Sequence, residues 1–266
     1  MPSFTSDKFS NFYKRILQIG NSDNSGTPTS TTSIQAGDGT ATCASISDDQ
    51  LHIQPQTDNT TTAVQVAKNG GGAIFQIDTT NDLVKGGVQR LPLNTNYAVF
   101  SIDATMGTSY GAGNHYPLIY GGGNYPDKSN PPSFGTSADP ATSFTTADAN
   151  TDRASDIANV MWYVQDAITI DAVVGIEGAD AATGDSTNMH LFSYDFTSGA
   201  TNCLTNGTLL AHNSTVTNAG SEQPYLTSFT IDSADVALGK VIVAFFEPVS
   251  INSDYTISMQ VKYHLQ

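Results

Sequence analysis

The chain has 266 residues, a formal charge of −15, and charged side chains at 13% of positions, about half the usual fraction. Its hydrophobic content of 38% is low for a globular protein yet too high for a disordered one. Beyond residue 95 only four basic side chains stand against seventeen acidic ones, and no Lys or Arg occurs between Arg153 and Lys240. Such a field repels nucleic acid and excludes DNA or RNA as a partner.

Helix formers are scarce: the glutamates are Glu177, Glu222 and Glu247, and there are seven lysines. Thr favours strands and Asn favours turns, so the composition predicts an all-β chain. Residues 1–20 are aromatic and basic on an otherwise acidic protein, with Phe9, Phe12, Tyr13, Lys14, Arg15 and Ile16 as the core of the segment. They read as an N-terminal docking peptide or, with equal weight, as a strand tucked against its own domain. The terminus has no apolar signal core, and no stretch approaches a membrane span. Synthesis in a cytoplasm without membrane insertion is therefore expected.

From 21 to 95 short apolar dyads recur between polar turns: Leu51/Ile53, Val64/Val66, Phe75/Ile77 and Leu83/Val84, with Ile34 and Ile46 upstream. Strands this short cannot close a core alone at about 25 cal/mol per Å² of buried apolar surface. Three chains wound about one axis would close it, which predicts a repetitive, intertwined β-stem. The rival reading is a loosely ordered Thr/Asn-rich linker. Residues 96–154 are expected to form an irregular connector, because 104–150 are dense in Gly, Pro, Tyr, Ser and Asn.

From 155 to 266 the pattern is that of a β-sandwich head, jelly-roll-like, with predicted strands over 160–164, 167–175, 189–196, 229–231, 240–246 and 255–265. Residues 255–266 alternate without a fault: Tyr255, Ile257, Met259, Val261, Tyr263 and Leu265 against polar neighbours, the mark of a half-buried strand. Residues 241–246 are apolar throughout and should be buried on both faces, with Pro248 ending that strand. Asn206-Gly207 reads as a turn.

Chemistry is sparse. Gly107-Thr108-Ser109-Tyr110-Gly111 fits a nucleophile elbow, but the residues that follow cannot open the required helix. The five histidines lack metal-ligand spacing, and Cys43 and Cys203 read as two free thiols. Asp148, Asn150 and Asp152 begin like a calcium loop, but Arg153 stands where its glycine should be. No cofactor is expected; a loosely bound calcium near Asp180 or Asp185 stays open. Tyr110, His115, Tyr116 and Tyr120 form an aromatic group suited to stacking on a glycan or receptor, or to packing a loop.

Residues 12–20 (Phe-Tyr-Lys-Arg-Ile-Leu-Gln-Ile-Gly), followed by a Thr/Ser/Gly/Asp-rich segment, resemble the N-terminal part of virion structural proteins from marine tailed phages. Leu51-His52-Ile53-Gln54-Pro55 and residues 73–81 resemble the repeating stem of that group, and Met189–Tyr194 and Val261–His264 its C-terminal domain. The resemblance covers about two-thirds of the chain and omits 104–150. It implies a non-enzymatic homotrimeric fibre, on tail or capsid, displayed on the virion surface. Its N-terminus would be held by other virion proteins, and its head would face a host-surface glycan or protein. Two other classes share much of this pattern. A capsid decoration protein would stabilise the shell, and a tailspike-like carbohydrate-active enzyme would need paired carboxylates in a groove.

Overall fold

The computed structural model describes residues 17–19, 29–36, 40–56, 58–87, 91–104, 111–123, 131–146, 152–179, 184–219, 223–250 and 255–266. The protein is all-β, with 54% of the chain in strands. Among the described residues the helical content is one turn, α1 (Ala154–Ile157). The chain divides into two units, 1–94 and 95–266.

The N-terminal unit holds two antiparallel four-stranded sheets. β1 (Leu17–Ile19), β2 (Thr32–Ala36), β3 (Ala41–Ile46) and β4 (Leu51–Ile53) form one, in chain order. β5 (Val64–Ala67), β6 (Ala73–Asp78), β7 (Leu83–Gly86) and β8 (Leu91–Pro92) form the other. The dyads seen in the sequence thus lie on strands. In β5–β7 the register Val64↔Ile77↔Val84 and Val66↔Phe75 puts these five side chains on one face. That face stays open: Val66 is 53% exposed and the other four are only half-buried. The opposite face carries polar contacts at Asp78, with Ile74 51% exposed beside them. Asp78 is buried and takes the Lys85 ammonium at 2.5 Å. Burial raises the Asp78 carboxyl, but hydrogen bonds from Lys85 and Asn81 outweigh it and hold the group at about 2. In the first sheet Ile46 pairs with Leu51, which is 65% exposed. Among the described residues of this unit, Ala73 is the one buried apolar side chain.

The second unit is a β-sandwich. Its first sheet runs β10 (Tyr116–Pro117), β20 (Lys240–Ser250), β14 (Ser186–Phe196), β15 (Leu204–His212) and β18 (Thr230–Ile231). β12 (Trp162–Tyr163) adds to β20 and β16 (Val216–Thr217) to β14. The second sheet runs β11 (Ile119–Tyr120), β9 (Thr95–Ala104), β21 (Tyr255–Leu265), β13 (Ile168–Ala179) and β17 (Pro224–Ser228), with β19 (Asp235–Val236) beside β13. Phe100, Ile102, Val173, Ile257, Met259 and Val261 point inward from the second sheet, meeting Met189, Leu191 and Phe246 from the first. Gly175 marks the closest approach, because a Cβ there would sit 2.8 Å from the Met189 sulfur.

Four expectations are revised by these elements. The described residues of the connector predicted over 96–154 are built into the head. β9 runs full length along β21, and Tyr116, Leu118, Ile119, Phe134 and Phe144 belong to the core. Phe134 stacks on Phe144 and tilts against Phe245 at 4.7 Å, so this segment roofs the outer face of β20. That is why residues 241–246 are buried on both faces, as their composition requires. Pro248 does not end β20; it lies inside the strand beside a register shift at Ser186/Thr187, where a missing N–H is tolerated. Nor is Asn206-Gly207 a hairpin turn. Asn206 has φ +52° within β15 and makes the bulge that lets Gly207 approach the Thr142 backbone, with Thr142 Cα 2.8 Å from where a Cβ would be.

The alternation of β21 holds through Val261 and then breaks. Leu265 is 44% exposed and His264 is buried. The cause is Asp171, an extra residue between Ile170 and Ala172 of β13, whose Oδ1 lies 2.9 Å from His264 Nδ1. A bulged carboxylate supplies the partner that lets a histidine be buried at a polar position.

Candidate functional site

At one end of the sandwich, three strand ends bring aromatic side chains together. β11 contributes Tyr120, β12 contributes Trp162 and Tyr163, and the end of β21 contributes Tyr263. Gln165 and Asp166, in the turn between β12 and β13, complete the rim of a cleft of about 460 Å³, within the range of small-ligand sites. The Tyr120 and Trp162 rings are parallel within 3° at a centroid distance of 6.0 Å, and Tyr263 tilts against Trp162 at 4.8 Å. Phe100 supports both from the core, 5.4 Å from Tyr120 and 6.4 Å from Trp162. Trp162 is thereby fixed and nearly buried, while Tyr120 and Tyr163 keep 41% and 51% of their surfaces exposed. Burial first, and then the neighbouring Tyr120, push the Tyr263 phenol above its ordinary value, so it stays a neutral donor.

An open aromatic wall with one carboxamide and one carboxylate at its edge can stack on the apolar face of a ring and accept or donate hydrogen bonds around it. Among the lining residues Asp166 is the one carboxylate. General acid–base hydrolysis of a glycoside draws on two.

Of the aromatic group read from the sequence, Tyr120 lies in this cleft, and Tyr110 falls outside the described residues. His115 and Tyr116 are corrected: both are buried, Tyr116 packing on Phe246 and His115 on His190, so neither ring reaches solvent. The docking residues Phe9, Phe12, Tyr13, Lys14, Arg15 and Ile16 also lie outside the described residues, as do Asp148, Asn150 and Asp180. Asp185 is buried. No group of three His, Cys, Asp or Glu side chains among the described residues is arranged to hold a metal ion. Trp162, Tyr163 and Tyr263 were missed by sequence reasoning. They are spread over 102 positions and assemble only through strand pairing; the one hint is that Trp162 is the single tryptophan of the chain.

Among the buried polar side chains elsewhere in the head, one histidine of a facing pair and one carboxyl have strongly shifted titration. His115 and His190 face each other at 5.1 Å, with His115 Nε2 3.7 Å from Glu247 and His190 Nε2 3.7 Å from Asp139. Burial, then the nearby His115 and His212, push His190 down to about 3. Glu177 is fully buried and accepts a hydrogen bond from the Thr187 hydroxyl. Burial outweighs that bond and pushes its carboxyl up to about 7.

No protein-family profile matches the chain, and no curated protein matches it. Among solved structures, the Eiger TNF of S. frugiperda aligns with 8% identity over 65% of this chain and 94% of its own, at a TM-score of 0.27. Infectious bursal disease virus of the Gx strain aligns with 11% identity over 76% of this chain and 50% of its own, at 0.16. The Gt strain aligns with 11% identity over 90% and 75%, at 0.14. Likeness at this level carries no inference about function. Among the described residues no helix is long and apolar enough to cross a membrane.

Proposed function

We propose that this protein is a non-enzymatic structural subunit of a tailed-phage virion, forming a homotrimeric fibre-type appendage with a jelly-roll-like head. Residues 1–20 dock it to other virion proteins, the two small sheets form the intertwined stem, and the head faces outward. The observation that carries the reading is the open apolar face of β5–β7. Val64, Val66, Phe75, Ile77 and Val84 lie side by side with no buried core beneath them, an arrangement a single chain in water does not favour. Further copies of the same strands would cover that face. The resemblance of residues 12–20 to the N-terminal part, and of 51–55 and 73–81 to the stem, of tailed-phage virion proteins supports the same assignment. A lone carboxylate in the aromatic cleft favours contact with a host-surface glycan over its hydrolysis.

Light scattering on the purified chain tests the assembly. The expected mass is three times the 28.0 kDa protomer, and a folded monomer at every concentration refutes the reading. Placement on the particle is tested by imaging virions with an antibody against the head.

A further inference from the structure

The head carries an open sheet face of its own. On the outer side of β9, β21, β13 and β17, the pairings Val99↔Gln260↔Val174↔Ser228 and Ser101↔Ser258↔Ile176↔Leu226 make two successive rows, and Tyr97↔Lys262↔Ala172 makes a third. Tyr97 is 68% exposed, Leu226 71%, Ile176 42% and Val99 39%. Across four strands at about 4.8 Å and three rows at about 6.8 Å, this is roughly 14 by 14 Å of sheet. It is too small to be a whole interface of about 800 Å² per partner, but it suits the apolar centre of one.

Charge identifies the occupant. The unit has a balance of −13 over residues 96–266, yet these three rows contain no carboxylate and one cation, Lys262. The next row toward the chain end, His264↔Thr169, is where the carboxylates begin, with Asp171 bonded to His264 and Asp235 bonded to Thr169. A window free of carboxylates in a strongly acidic surface is where two copies of an acidic protein can meet with the least like-charge repulsion. A basic partner would gain nothing from a face that lacks negative charge.

We infer that the outer face of the β9–β21–β13–β17 sheet is the head-to-head contact between copies of this chain, with Leu226 and Ile176 as its apolar anchors on the β13–β17 side. The inference rests on the homotrimer reading and adds a second contact to the one at the stem. The face is separate from the aromatic cleft, so a ligand there and a neighbouring copy need not compete.

Thiol labelling in the full-length protein tests this. Leu226 and Leu238 are equally exposed in the single chain, 71% and 69%, but Leu238 lies in the turn between β19 and β20. In a Cys43→Ser background, which removes the exposed native thiol, Leu226→Cys and Leu238→Cys are each reacted with a maleimide. The expected result is labelling at least ten-fold slower for Leu226→Cys in the assembled protein, with the protection lost on dilution to monomer. Equal rates in an assembly of confirmed trimer mass overturn the inference and leave the stem contact standing. Protection that persists in the monomer also overturns it, because the same chain then covers the face. A monomer at every concentration overturns both readings. Ile176→Asp should raise the Leu226→Cys rate to that of Leu238→Cys while leaving Trp162 emission unchanged.

Discussion

Glu177 and His190 give the head two opposed pH dependences, and removing either exposes the other. Glu177 is held at about 7 against an ordinary 4.5, so between those values the folded protein binds more protons than the unfolded one. Its contribution is therefore fully present below about pH 4.5 and is lost as pH rises toward 7. At about 1.4 kcal/mol per unit this is roughly 3 kcal/mol. His190 is held at about 3 against 6.5, so the unfolded state binds the extra proton. Its contribution is present above about pH 6.5 and is lost as pH falls toward 3, roughly 5 kcal/mol by the same arithmetic. Between pH 4.5 and 6.5 the two slopes cancel. The native head should show a plateau there, a steep fall below pH 4.5 and a small decline from 6.5 to 7. Trp162, the sole tryptophan and nearly buried in the head, reports urea unfolding at each pH. Glu177→Gln should convert the plateau into a rise with pH of about 3 kcal/mol, and His190→Gln into a fall of similar size. A Glu177→Gln profile that stays flat between pH 4.5 and 6.5 would refute the buried-carboxyl argument.

Four other substitutions separate the layers of the argument. Val261→Asp places a carboxylate in the core beside Val173 and should unfold the head at a cost of several kcal/mol, whereas Lys262→Asp, half-exposed on the outer face, should lower the intrinsic stability of the head by less than about 0.5 kcal/mol and act instead on assembly through the contact inferred there. Phe134→Ala removes the ring that seals Phe245, Phe144 and Tyr194, and should cost about 3–5 kcal/mol in the same urea assay. Tyr120→Ala opens the cleft and removes one ring from beside Phe100 and Trp162; titration of Trp162 emission with purified host-surface polysaccharide should respond in the native protein and lose most of its amplitude in the variant.

The second half of the fold was legible because two patterns there are unambiguous. Period-two alternation over residues 255–265 can only be satisfied by one face on a core, and an unbroken apolar run at 241–246 requires cover on both sides. The cover itself was not legible. Phe134 and Phe144 sit among prolines, glycines and serines, where no periodicity announces them, and their packing depends on a roof spanning strands that are far apart in sequence. β9 was overlooked for a different reason. Ala98, Phe100 and Ile102 alternate correctly, but Tyr97 and Val99 between them are apolar too, which erases the contrast on which alternation depends.

That erased contrast is itself informative. A strand with one face on a core and the other in water reads as alternation, and β21 does so with Gln260 and Lys262 outward. β9 lies hydrogen-bonded beside it, with Tyr97 opposite Lys262 and Val99 opposite Gln260, yet its outward positions are apolar. Ile176 and Leu226 repeat this on β13 and β17, so the departure belongs to one face of one sheet and not to a single strand. On the opposite sheet, β20 also lacks contrast, and there the reason is visible: the roof carrying Phe134 lies on it. Loss of alternation thus has one physical meaning in this protein, a second surface to be covered. Where the chain supplies its own cover the side chains are fully buried, and where it does not they stand 39–71% exposed. The same reasoning joins the outer face of β9, β13 and β17 to the open face of β5–β7. Both carry apolar side chains that a single acidic chain leaves in water, and further copies of that chain would cover both.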